Sequence, residues 1–195
     1  PAVRPASRPA ARVVGGAGAP VAVARGDGAL RPVEGSGRRR GSGPLQRYTV
    51  AVEGGLGIDA RAFAGTVEAT LADPRSWGAG GRLSFQRVDA GPVAFRVVLA
   101  SPDTTDWLCA PLRTAGTYSC ASRGSAVVNA GRWLRGAAAY RGELVAYRQY
   151  VVNHEVGHVL GHGHESCPGA GRPAPVMVQQ TKGVGACRPN AWPFP

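Results

Sequence analysis

The sequence predicts one α/β (α+β) domain: a twisted mixed sheet, a backing helix, a second long helix and an irregular C-terminal part. Three observations predict it. Segments rich in β-branched and aromatic residues recur between residues 46 and 130, two stretches carry apolar residues at helical spacing, and beyond Gly161 the chain is rich in Pro and Gly. The 195 residues are 44% hydrophobic, with four Trp, five Tyr and four Phe, which is enough to fill one core.

The domain is expected over residues 44–195. Residues 1–43 read as a disordered linker or tail, because 31 of them are Ala, Gly, Arg or Pro and none is aromatic. Such a segment buries too little apolar surface to offset its ordering entropy. Gln46–Glu53 alternates and reads as a strand. Asp59 stands at an N-cap position ahead of Phe63, Val67 and Leu71, and Asp73-Pro74 closes that helix. Arg82–Val88 and Val93–Ala100 read as two strands joined by a Gly-containing turn. Thr117–Cys120 and Ala126–Ala130 are shorter strands. A second helix is expected from about Gly142 to Leu160, its apolar set being Leu144, Val145, Val151, Val152, Val156 and Val159. No internal repeat is evident.

The net charge is +11, and all of the 23 basic residues but Lys182 are arginine. A composition dominated by Ala, Gly, Arg, Pro and Val explains that bias. No basic stripe is interleaved with aromatics, so no nucleic-acid partner is expected. An anionic cell envelope is the polyanion the charge leaves open. The four cysteines fall in two local pairs, and we expect disulfides Cys109–Cys120 and Cys167–Cys187, each closing a short loop. That implies a secreted, extracellular or envelope-attached protein. The first residue is Pro1, so a signal peptide or anchor is expected upstream. No stretch reaches the roughly 18 apolar residues of a membrane helix.

All four histidines lie between His154 and His164. His154 and His158 are four apart, one helical turn, and can present both imidazoles to a single ion. Glu155 is adjacent, able to reach a water on that ion without ligating it. Gly161 lets the chain leave the helix and bring His164 back as third ligand. His162 would need a straight helix whose outer ligands stand about 12 Å apart along the axis. His162 is therefore set aside. Three imidazoles with an open fourth position are the pattern of a catalytic Zn²⁺ site, with Glu155 as general base.

The string from His154 to His164 fits H-E-x-x-H-x-x-G-x-x-H and resembles the metzincin zinc metallopeptidases. That resemblance implies a metzincin-like zincin domain: strand, helix, two strands, an edge strand over the cleft, another strand, then the metal-binding helix. It also implies a methionine turn beneath the metal, matched by Met177, the only methionine, thirteen residues after His164. More narrowly, residues 45–195 resemble a secreted domain family of high-GC Gram-positive bacteria with no assigned substrate. The shared features are Tyr147-Arg148, Val151–His154, His164–Gly169, Pro175-Val176-Met177, Gln180–Gly183 and Cys187–Pro193. Where several metzincins carry a tyrosine two residues after the turn methionine, this chain has Gln179. Gln179, Gln180 and Tyr150 are accordingly candidates for the cleft, with Trp107, Tyr118 and Trp133 as further possible lining.

The resulting expectation is a monomeric, zinc-dependent peptidase acting on a protein or peptide substrate. A zinc-stabilised binding module without turnover and a zinc amidase acting on cell-wall peptides are the alternatives.

Overall fold

Alternation in the first long strand organises the sheet. In β2 (Leu45–Glu53), Tyr48, Val50 and Val52 are buried while the residues between them are half-buried. The structure is a computed structural model and describes residues 25–195. Around β2 lie β1 (Leu30–Pro32), β3 (Ser84–Arg87), β4 (Phe95–Ala100), β5 (Cys120–Ser122) and β6 (Ser125–Asn129), a six-stranded mixed sheet. One edge of β2 takes β3 in parallel along Leu45–Tyr48 and β1 antiparallel along Ala51–Glu53. Its other edge takes β4 in parallel, and β6 follows in parallel. β5 closes that side as an antiparallel edge strand. The two strands expected to be joined by a turn therefore do not pair with each other; β2 lies between them.

Helix α1 (Ala60–Ala72) starts where Asp59 accepts hydrogen bonds from the N–H groups of Arg61 and Ala62, and it buries Phe63, Ala64, Val67 and Leu71. Helix α4 (Leu144–Val159) lies against β6 and α1. Phe63 meets Trp133 edge-on at 4.7 Å, so α1 also packs on α3 (Ala130–Arg135) in one core. Within α4, Val145 departs from the expected apolar set and is exposed, while every residue from Tyr150 to Gly157 is buried.

Two helices have no counterpart in the periodicity reading. α2 (Pro102–Cys109) has Ser101 as N-cap, Pro102 in the first turn and Asp103 behind it. The short α3 is capped by Asn129. The strand expected over Thr117–Cys120 lies later, over Cys120–Ser122.

The tail expected over 1–43 is described only from Arg25, and from there it lies on the domain. Leu30–Pro32 pairs with β2, Val33 N–H donates to Val50, and Arg40 exchanges two 2.8 Å bonds with Phe85. Glu53 is buried and accepts from Gly28 N–H, Ser101 N–H and the Thr104 hydroxyl. Main-chain pairing is indifferent to side-chain composition, which is why an Ala/Gly/Arg/Pro count overlooks it. Residues 1–24 lie outside the described part.

Candidate metal centre

The C-terminal half of α4 faces inward and brings its polar residues with it. His154 and Glu155 are 5% and 4% exposed, in a run where the only other buried polar side chain is Asn153. Asn153 is consumed structurally. Its amide donates to Ala191 O, its Oδ1 accepts from Ser76, and its carbonyl accepts from Trp77 Nε1.

The helix ends at Leu160, and Gly161 takes a φ of 95°, a value other residues adopt only with strain. The chain then turns and returns His164 to the helix. One nitrogen each of His154, His158 and His164 lies within 4.8 Å of the others. His158 and His164 approach to 3.1 Å between their Nε2 atoms. His154 Nδ1 lies 2.8 Å from Val176 O, and His158 Nδ1 lies 2.9 Å from His162 O. A carbonyl only accepts, so both Nδ1 atoms carry a proton, and in the neutral ring the Nε2 atom keeps its lone pair. Three such imidazoles could hold a metal ion. Burial holds the His154 pKa down to about 3, and burial with the nearby His158 and Lys182 lowers that of His164.

His162 stands apart from this group. Its ring stacks on Trp77 at 4.3 Å, and only its carbonyl serves the site.

Glu155 follows His154 on the same turn. Its Oε2 is buried with no hydrogen-bond partner, and burial pushes its pKa up to about 8. An unsatisfied buried carboxylate oxygen costs free energy that a purely structural residue would avoid. Met177 is 1% exposed and packs on α4 at Gly157, the residue before His158. A Cβ at Gly157 would sit 2.5 Å from Met177 Sδ and 2.6 Å from Trp77 Cζ2. Neither Gly157 nor Trp77 was singled out from the sequence. A glycine inside a helical pattern was the available signal.

These groups open onto a cleft of about 340 Å³, lined by the three histidines and Glu155 together with Tyr150, Tyr118, Gln179 and the edge strand β5. Leu112, Arg113 and Lys182 also line it and were not anticipated. Tyr150 reaches the cleft with its ring. Its hydroxyl donates to Val178 O and accepts from Gln180 N–H, so it is already engaged. Gln180 is not a cleft residue. Fully buried, it accepts from Tyr140 OH and Asn190 N–H and donates to Pro175 O and Asn190 O. Trp133 belongs to the core, and Trp107 is 73% exposed outside the cleft.

Both disulfides form as paired from the loop lengths. Cys109–Cys120 ties α2 to β5, and Cys167–Cys187 closes the irregular chain around Met177. Such bonds persist in oxidising compartments. Among the described residues no helix is long and apolar enough to cross a membrane.

Residues 16–186 match the family model DUF3152, described as a protein of unknown function. The chain belongs to the DUF3152 family. No curated protein and no solved structure matches it. The DUF3152 match begins well ahead of residue 44, and so takes in the β1 segment that was expected to be a tail. It also contains all three clustered histidines, Glu155 and Met177.

Proposed function

We propose that this DUF3152 domain is a zinc-dependent peptidase of metzincin type, exported from the cell, with His154, His158 and His164 as ligands and Glu155 as general base. One observation carries the reading. Three imidazoles converge beside a buried carboxyl group with an unpartnered oxygen, in an open cleft. A purely structural metal site would have no need of that carboxylate.

The donor set suits zinc. Three imidazole nitrogens within 4.8 Å of one another are ligands that zinc favours. With β1 ahead of it, α2 inserted before β5 and α3 before α4, the element order supports the metzincin type: β2, α1, β3, β4, the antiparallel edge strand β5 beside the cleft, β6, then the ligand helix α4. Met177, packed on α4 between the ligands, is consistent with a methionine turn. Export is supported by the two disulfides.

Bound zinc would supply a Lewis acid that acidifies water and polarises the substrate carbonyl. The chain supplies the rest. Val176 and His162 carbonyls fix two imidazoles in the tautomer that presents Nε2. Glu155 takes the proton of the attacking water and delivers it to the amine nitrogen as the C–N bond breaks.

The test is metal analysis combined with peptide hydrolysis. The protein should retain one zinc per chain and lose activity to chelators. Glu155→Ala should keep the zinc and lose at least ~100-fold in rate. Failure to retain any metal at micromolar free zinc would reject the proposal.

A further inference from the structure

We infer that the cleft selects a substrate carrying a carboxylate, recognised by Lys182 and Arg113; this rests on the peptidase reading of the same site. The two cations come from separate segments. Arg113 lies on the loop between α2 and β5, and Lys182 on the irregular chain after Met177. Both line the cleft that holds the three histidines, and the one acidic side chain lining it, Glu155, is buried.

Neither cation is neutralised. Both residues are exposed, and the ion pairs among the described residues involve other arginines, with no carboxylate within 4.0 Å of Lys182 or Arg113. Lys182 is nonetheless held in place. Its Nζ donates to Gln179 Oε1 at 3.2 Å and stands 5.2 Å from the centroid of the Tyr118 ring. The Arg113 loop is pinned as well. Asp106 of α2 accepts from the Thr114 hydroxyl and from Gly116 N–H, so this acid is committed to holding the loop. A positioned but unpaired cation inside a cleft attracts an anion more strongly than one on open surface, because fewer waters screen it.

Composition does not account for this arrangement. The bias that makes all the other basic residues arginine leaves Lys182 as the single lysine of the chain, and that lysine is in the cleft. Leu112, 56% exposed, and Tyr118 supply apolar lining between the cations and β5. The matching ligand is an extended peptide with an apolar residue and a carboxylate close to the scissile bond. Peptides with Lys or Arg at the same place are disfavoured by like charge.

The experiment uses one peptide scaffold with an amidated C-terminus in four forms: internal Glu, internal Gln, internal Lys, and internal Gln with a free C-terminal carboxylate. Each is measured for cleavage by the zinc-loaded protein, and for binding to zinc-loaded Glu155→Gln by fluorescence anisotropy. The Glu or free-carboxylate form should bind roughly tenfold tighter than the amidated Gln form, the scale of a charge-assisted over a neutral hydrogen bond. Whichever of the two wins identifies the source of the carboxylate. The ratio should fall towards one in Lys182→Gln and in Arg113→Gln, each built also in the Glu155→Gln background, where the metal is unchanged. Equal binding of all four forms overturns the inference, as does a carboxylate preference that survives both substitutions and so belongs to the metal. Absence of cleavage together with carboxylate-selective binding would refute the peptidase reading and leave the selectivity standing.

Discussion

Gly157→Ala is the substitution whose sign separates the packing argument from helix propensity. Gly157 lies inside α4, where alanine ordinarily stabilises by about 1 kcal/mol. The space is taken, however, since the new Cβ would fall 2.5 Å from Met177 Sδ, 3.3 Å from Met177 Cε and 2.6 Å from Trp77 Cζ2. Met177 is 1% exposed, and Trp77 is tied at 2.9 Å to the Asn153 carbonyl. Overpacking of this kind costs about 1–3 kcal/mol, so the net is a loss of up to about 2 kcal/mol once propensity is credited. The strain also acts between His154 and His158, so zinc affinity should fall together with stability. Urea titration of the metal-free protein and a chelator competition for zinc measure the two quantities. A variant about 1 kcal/mol more stable than the parent, with unchanged zinc affinity, would refute the claim that Met177 and Trp77 close on the helix at this point.

Zinc removal should lower the thermal midpoint by about 5–10 °C from a state at 100 times its Kd, following from about 2.7 kcal/mol of linkage; an unchanged midpoint on chelation would argue against a metal site. In the chelated protein, Glu155 and His154 act on pH dependence with opposite sign. Glu155 has its pKa raised to about 8, so its contribution is full at low pH and is lost as pH rises from about 4.5 to 8, whereas His154, lowered to about 3, costs stability as pH falls below about 6.5. Metal-free stability should therefore rise from pH 8 to 6.5, and Glu155→Gln should abolish that rise. Gln180→Ala removes four hydrogen bonds of a buried amide and leaves the Asn190 N–H without a partner, so it should cost about 1–3 kcal/mol by denaturant titration, where a cleft residue would cost little.

What was legible in the sequence was what local spacing encodes. The interval between His154 and His158, the break at Gly161, the Asp59 cap and the cysteine pairs are short-range features, and each has its counterpart in the structure. The sheet order was not legible, because periodicity gives strands without partners; nothing in Arg82–Ala100 says that β2 will lie between β3 and β4. β1 was overlooked because three residues held by main-chain pairing leave no side-chain pattern. α2 carried its signature in Ser101-Pro102-Asp103, yet eight residues are too few for a convincing apolar stripe. Gln180 was misplaced for a different reason. Sequence marks an amide near the site but does not tell whether its partners are substrate or backbone.

The same distinction explains how a chain segment without regular structure can hold half of the site. From His164 to Pro195 there is no helix or strand, yet the segment supplies a proposed ligand, the carbonyl that orients His154, and Met177. Its order comes from satisfied polar groups. Glu165 N–H bonds to Met177 O, Gln180 and Asn190 bond to each other and to Pro175, Ala174 and Trp192, and Cys167–Cys187 closes the loop covalently. Arg75 then sits 4.1 Å over Trp192, fastening the end of the chain to the loop that follows α1. Most of these contacts span ten residues or more, so the positions of Val176 and Met177 depend on the whole segment. Reduction of Cys167–Cys187 should therefore weaken zinc binding through Val176 and Met177, although neither cysteine is one of the proposed ligands.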